Sequence, residues 1–371
     1  MAIGSQVTVT ERGKVPDLAS VGPSPSASRT ETRGLSPTAR YILRRIGLYL
    51  ITLWGSLTAS FIFFRMLPGD PISGIVAQLQ QRGQYVSVDS SEDMIVYYEK
   101  QFGLHGPLWQ QYLAYYKKIF TEGNFGPSVL SYPTGSTELI LRALPWTLAL
   151  IGVATILGWV IGVLLGTLTA WKRNNWLAEA VTNVALVFSH IPAYFLALAL
   201  MILLAYRLKI LPTGGAYDPK LTPSFSLDFI LSCIKYGTMP VMATALVAIA
   251  SWMLSTRALV VSILGEDFLT FATAKGVSPR RVLTQYVLRN AWLPQIAALG
   301  MTLGGVVGGN VLVERLFRYP GVGNLLVDSV GVKDVNTAMA TVTLLIFMVL
   351  TANLIIDLIL PLIDPRVKLT D

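Results

Sequence analysis

Long apolar runs punctuated by short polar ones set the pattern of this chain. Six runs, at residues 41–67, 145–171, 177–206, 237–263, 290–313 and 338–362, approach or exceed the ~20 residues a helix needs to cross ~30 Å of hydrocarbon. The expected class is therefore all-α: a polytopic membrane protein with six transmembrane helices. Residues 1–40 are rich in Ser, Pro, Thr and Gly without apolar periodicity, and read as a disordered tail. No apolar core or small-residue cleavage site marks that tail as a signal peptide. Pro-Gly-Asp-Pro at 68–71 stops the first span, because neither proline continues a helix. A polar segment over 68–144 follows, with amphipathic helices expected at 94–102 and 109–120. The core is expected over 145–366, and residues 367–371 form a short C-terminal tail.

One polar, basic island stands apart, at 264–289 between the fourth and fifth runs. From Glu266 to Lys275 it contains neither Pro nor Gly and predicts a helix. Gly276 ends that helix where a left-handed residue costs least. Ser278-Pro279 restarts it, with Ser as the cap and Pro in the first turn. Arg280 and Arg281 come next, then Val282, Leu283, Tyr286 and Val287 at helical spacing. The result is a knuckle of two short helices. Ala272, Ala274 and Gly276 give it a small-residue surface suited to a groove on another protein.

Composition sharpens the picture. At 53% hydrophobic and 13% charged residues, the chain is too apolar for an ordinary soluble domain, where about 25% charged is usual. The net charge of +8 raises nucleic acid as a partner. In so apolar a chain, cations gathered on cytoplasmic turns explain it better, and no nucleic acid is expected. Alternating the six spans puts Arg44/Arg45, Lys172/Arg173, Lys275/Arg280/Arg281 and Arg366/Lys368 on one side, with both termini in the cytoplasm. The lone Cys233 allows no intrachain disulfide, and neither His105 nor any other residue has metal-site spacing.

Several residues inside the runs carry candidate roles. Gly158, Gly162 and Gly166 recur every four residues, a stripe that lets two backbones approach. His190-Ile-Pro192 interrupts the third run. A histidine at that depth either lines a pathway or is a buried, hydrogen-bonded structural residue. Gly304 and Gly308, in a glycine-rich fifth run, suit close packing at a pathway or partner interface. Glu314 lies beside Arg315 and Arg318, as an outer-gate latch or a solvated ion pair worth little. Asp357 is costly in the sixth run unless it is paired or near the interface.

Some chemistry has no motif here. There is no Gly-x-x-x-x-Gly-Lys-Ser/Thr phosphate loop, His-Glu-x-x-His or nucleophile elbow, so neither catalytic residue nor cofactor is expected. An energy source must come from another chain or from a gradient. A gradient-driven carrier would want paired intramembrane carboxylates and an inverted repeat, and Asp357 alone is thin support.

The run Ala272-Thr-Ala274-Lys275-Gly276-Val-Ser278-x-Arg280-Arg281-Val282-Leu283, with Leu288-Arg289-Asn290 and Leu293-Pro294, resembles the "EAA" cytoplasmic loop of bacterial ABC-transporter permeases. Thr270-Phe271-Ala272 stand where the generic motif has Glu-Ala-Ala. More narrowly, the chain is similar to the B-type permease of dipeptide/oligopeptide importers, over about 41–366. Pro-Gly-Asp-Pro after the first span and Val313-Glu-x-x-Phe-x-x-Pro-Gly-x-Gly323 carry that narrower likeness. It implies the type I importer permease fold with an extracytoplasmic segment after helix 1. It implies a knuckle that docks on an ATPase through Ala272, Ala274, Lys275, Gly276, Ser278, Arg280 and Arg281. His190, Pro192, Gly304 and Gly308 are expected at the pathway, and Glu314 and Arg318 at an outer gate. The implied partners are a second homologous permease, two ATP-binding-cassette ATPases and an extracytoplasmic substrate-binding protein, in the inner membrane with its lipid. Peptide is the expected cargo, with oligosaccharide or nickel as alternatives.

Overall fold

A computed structural model of the chain describes residues 37–66, 100–305 and 310–363. The tail expected before residue 37, the Pro-Gly-Asp-Pro stop, most of the helix expected at 94–102, and residues 364–371 lie outside the described residues. Within them the chain is helical, without a strand and with one isolated bridge between Pro127 and Gly135.

In order, the helices are α1 (Pro37–Met66), α2 (Leu108–Glu122), α3 (Ser136–Trp171), α4 (Trp176–His190) and α5 (Ala193–Leu200), which continues as a π-helix over Met201–Arg207. Then come α6 (Leu227–Leu264), α7 (Asp267–Ala274) and α8 (Pro279–Arg281), which passes through a π-helical stretch, Val282–Val287, into α9 (Leu288–Gly305). The last are α10 (Val311–Leu316), α11 (Val322–Gly331) and α12 (Val335–Ile363). α1, α3, α6 and α12 are long and apolar enough to cross a membrane, and a fifth crossing forms if α4 and α5 count as one broken span. α9 does not qualify by itself: its 18 residues include Arg289, Asn290 and Gln295.

Three boundaries differ from the sequence expectation. α3 starts at Ser136 rather than at residue 145. Pro145 sits inside the helix, and the preceding turns are held by an Arg142–Glu138 ion pair one turn apart and by burial of Ile140 and Ala143. α6 starts at Leu227, where the Ser226 hydroxyl accepts the Phe229 N–H at 3.4 Å, and runs straight through Pro240. The third run is not one kinked helix. α4 and α5 meet at 102°, because Pro192 drives Ile191 into an extended conformation (φ −84°, ψ 122°).

The glycine stripe seats α3 on α6. A Cβ on Gly162 would lie 2.5 Å from Trp252 Cβ and 2.8 Å from Ile249 O. One on Gly166 would lie 2.5 Å from Met253 O. Each step along α3 is matched by a step in the same direction along α6, so the two helices are parallel and end together. α1 and α12 run antiparallel: Arg45 Nη1 pairs with Asp357 Oδ2 at 2.7 Å, and Tyr49 Oη meets Thr351 Oγ1 at 3.0 Å. Further on, Phe61 and Phe64 reach Ala338 and Met339. Asp357 is thus paired, which removes the cost its position implied.

Candidate functional site

At the shared end of α3 and α6, one apolar cluster gathers Ala170, Val260, Leu269, Val282, Val287 and Ala291. Its members come from α3, α6, α7, the π-helical stretch and α9. The polar island is therefore pinned on several sides. α7 ends in a Schellman motif. The Gly276 N–H donates to Thr273 O at 2.9 Å and the Val277 N–H to Ala272 O at 3.2 Å. Gly276 takes φ +74°, a left-handed conformation that glycine adopts without strain. Val277 then packs on the cluster. Ser278 precedes Pro279 as read, but its side chain caps nothing; its backbone carbonyl accepts the Val282 N–H at 3.0 Å. Arg281 Nε donates to Gln285 Oε1 at 2.9 Å.

The knuckle has an inner and an outer face. Ala274, Lys275, Gly276, Ser278, Arg280 and Arg281 are exposed. Ala272 is not: it is buried with Leu269 in the chain's own core. Its small size serves internal packing, which corrects its expected place on the outward surface. In its stead the outer face carries Phe268 and Phe271, the latter 69% exposed. Sequence reading missed both. The signal was there, since Leu269 and Ala272 share one face at i, i+3 and the two phenylalanines share the next.

A second site, built around Glu314, lies about a third of the way along α3 from its start. This residue is 0% exposed. Its Oε1 accepts the Thr147 hydroxyl at 2.8 Å, and its Oε2 accepts the N–H groups of Gly323 at 2.7 Å and Asn324 at 3.2 Å. The carboxylate thus sits at the N-terminus of α11, where backbone dipoles favour an anion. Thr147 Oγ1 also accepts the Val322 N–H at 2.8 Å. A Cβ on Gly321 would collide with the Glu314 carboxylate, and one on Gly323 would come within 2.8 Å of its Oε2. That explains both glycines of the Pro-Gly-x-Gly run. Burial pushes the Glu314 carboxyl above its ordinary range, and the Thr147, Asn324 and Gly323 donors draw it partly back. Glu314 pairs with neither Arg315 nor Arg318, which sets aside the solvated ion pair. Arg315 pairs with Asp328 and donates to Asn324 Oδ1 at 3.1 Å. Arg318 is exposed at φ +48°.

Asp334 makes a similar knot nearby. Fully buried, it accepts the Ser128 hydroxyl, the Leu130 N–H at 3.0 Å and the Thr337 hydroxyl at 2.7 Å. Ser136 Oγ meets Thr337 Oγ1 at 3.0 Å, so α12 begins beside the start of α3. Arg45 and Asp357, near the other end of α12, then lie at the knuckle end. So do Lys172/Arg173 and Lys275/Arg280/Arg281, so these expected basic turns share one end of the bundle.

Of the expected pathway residues, His190 and Pro192 stand together. His190 ends α4 and Pro192 caps α5, both exposed at the break between them. The His190 Nδ1 lies 2.7 Å from Leu186 O and 3.1 Å from Ser189 Oγ. Gly304 lies in the last turn of α9, and Gly308 is outside the described residues.

The comparisons with known proteins bear on both ends. Residues 162–369, more than half of the chain, match the family described as binding-protein-dependent transport system inner membrane component. An oligopeptide transport system permease protein of Bacillus subtilis is 32% identical over 330 residues, covering 89% of this chain and 99% of the relative. Dipeptide transport system permease proteins of Lactococcus lactis and Escherichia coli are 29% and 28% identical. Each alignment covers 89% of this chain, with 99% of the Lactococcus protein and 98% of the Escherichia one. A helical, multi-pass chain whose polar island is a rigid knuckle, matched along nearly its whole length by such permeases, belongs to the binding-protein-dependent transport system inner membrane component family.

Proposed function

We propose that the chain is the permease subunit of an ATP-binding-cassette importer, forming half of a translocation pathway for peptides. Two ATPase subunits, a second homologous permease and an extracytoplasmic substrate-binding protein complete the assembly. The knuckle end faces the cytoplasm and the Glu314 end faces outward. The observation that carries this reading is the two-faced knuckle. Leu269, Val282 and Val287 fix it to the ends of α3, α6 and α9, while Phe268, Phe271, Ala274 and Lys275 stand outward. A helix pair transmits motion only if held at both ends. Here one end is built in, and the other is an exposed aromatic face of the kind a hydrophobic groove accepts. ATP-driven closure of the ATPases moves the knuckle, and the bundle rocks between outward and inward openings.

Peptide as cargo rests on the relatives' names, which cite dipeptides and oligopeptides. Sugar stacking on outer aromatic residues gains nothing here. Tyr112 and Tyr116 bond to Thr58 at 2.9 and 3.1 Å, and Tyr115 bonds to Thr343 at 2.8 Å. A gradient-driven carrier loses its one intramembrane carboxylate to the Arg45 pair.

The test is co-expression with the ATPase, permease and binding-protein partners, then ATP-dependent peptide uptake into proteoliposomes. Burying a phenylalanine is worth about 1.5–3 kcal/mol, so Phe271→Ala lowers ATPase co-purification by roughly tenfold or more. Uptake that persists without the ATPases, or ATPase binding indifferent to Phe271, overturns the reading.

A further inference from the structure

The turn between α3 and α4 has a composition the knuckle does not explain. α3 ends on Trp171 and α4 begins on Trp176. With Lys172, Arg173, Asn174 and Asn175 between them, these residues line a cup of about 670 Å3. The turn is internally braced. The Asn175 N–H donates to Lys172 O at 2.9 Å, and Asn175 Oδ1 accepts the Leu177 N–H at 2.9 Å. The two cations are not braced. Both are exposed, and among the described residues neither makes an ion pair or a side-chain hydrogen bond. Glu179, the acid in the first turn of α4, pairs with neither.

What lies next to the cup is equally specific. Within two turns of it, α3 exposes Leu164 and Leu168, and α4 exposes Leu177 and Val181. Trp176 is itself 73% exposed. Indole rings settle at the level of lipid headgroups, and unpaired cations beside them draw anionic headgroups. A soluble protein partner would answer the charge but not the apolar flanks.

We propose that the α3–α4 turn binds an anionic phospholipid. Lys172 and Arg173 hold the phosphate, Trp171 and Trp176 flank the glycerol region, and the acyl chains run along the exposed leucine and valine side chains. The site adjoins the knuckle, because Trp171 packs on the cluster that carries α7 and Ala170 is part of it. A lipid in the cup steadies the shelf on which the knuckle rests, so ATP hydrolysis by the assembled transporter rises with the anionic fraction of the membrane. That consequence rests on the proposed function; lipid retention by the chain does not.

The experiment is native mass spectrometry of the full chain in mild detergent, offered phosphatidylglycerol, phosphatidylethanolamine or inorganic phosphate. A cation near an anionic surface is worth about a fivefold gain in partition. Lys172→Gln with Arg173→Gln therefore lowers phosphatidylglycerol retention roughly thirtyfold at unchanged melting temperature. The charge-keeping pair Lys172→Arg with Arg173→Lys retains the lipid. Lys117→Gln with Lys220→Gln, which removes two exposed cations elsewhere, leaves retention unchanged. Equal retention by parent and Gln pair overturns the proposal. So does displacement of the lipid by millimolar phosphate, or a Gln pair that keeps its lipid and loses only its ATPase subunits. If lipid retention follows the proposal while hydrolysis ignores anionic lipid, the site stands and its link to the proposed function falls.

Discussion

Glu314→Ala removes a buried carboxylate that three donors share. The Thr147 hydroxyl and the N–H groups of Gly323 and Asn324 all end on it. Each orphaned donor costs about 1–3 kcal/mol. The two amides open the first turn of α11 and can recover part of that cost by admitting water. The expected net loss is about 3–5 kcal/mol. Glu314→Gln keeps one acceptor oxygen and the shape, and costs about 1–2 kcal/mol. A double-mutant cycle with Thr147→Val isolates the shared bond, with an expected coupling of about 1–2 kcal/mol. Thermal melting of the full chain in detergent, followed by tryptophan fluorescence, reads these losses. Acidity gives an independent check. Burial raises the folded-state pKa of Glu314 above its unfolded value, so the folded protein holds this proton more tightly. The resulting stability is complete below the unfolded pKa and is lost as pH rises through the folded one. The parent therefore gains stability on acidification relative to Glu314→Gln, which has no such proton. If Glu314→Ala melts with the parent, or if parent and Gln variant track each other across acid pH, the buried knot is not what holds α10 and α11 to α3.

Three further outcomes follow from the same geometry. Gly162→Leu forces apart two backbones that leave no room for even a Cβ; a loss of at least about 1–3 kcal/mol is expected, seen as reduced membrane accumulation, whereas Gly152→Leu on the same helix, with nothing within 4 Å, accumulates normally. Gly276→Glu has open space around it but an unfavourable φ, costing about 1–2 kcal/mol; the assembled transporter is expected to keep hydrolysing ATP while peptide uptake fails, and normal uptake at parental protein levels counts against a coupling role. Arg45→Ala and Asp357→Ala each strand a charge in a partly exposed pair; the double variant is expected to be more stable than the sum of the two single losses, by about 0.5–1 kcal/mol in a melting cycle.

Four of the six expected spans were legible because membrane spans announce themselves by length, and a glycine every fourth residue announces a close neighbour; the third run is broken and the fifth does not qualify by itself. The neighbour's identity was not legible: nothing before Ala248, Ile249 and Trp252 marks α6 as the partner of Gly158 and Gly162. The start of the second span misled because Pro145 was given too much weight. Pro145 and Pro240 lie within α3 and α6, while Pro192, in a similar apolar setting, separates two helices at 102°. The difference is tertiary. Beside those prolines Trp146, Leu150 and Ile151 of α3 share an apolar cluster with Val241 of α6, whereas His190 and Pro192 are exposed. The knuckle was legible in its break and restart, since Gly276 and Pro279 impose local backbone geometry. Its facing was read too simply. Small residues signal close contact but not with whom, and Ala272 contacts its own chain. Glu314 was read against its neighbours in sequence, Arg315 and Arg318. Its real partners, Thr147 and the start of α11, are set by the fold.

α3 is a single helix of 36 residues, about 54 Å long at 1.5 Å per residue. Thr147, about a third of the way along, is tied to the Glu314 knot, and Ala170, next to its last residue, is embedded beneath the knuckle. Gly158, Gly162 and Gly166 seat its second half against α6. A tilt imposed at one tip must reappear at the other within the same instant of motion. Whatever waits beside Glu314 is thereby geared, by one stiff strut, to the step taken at the knuckle.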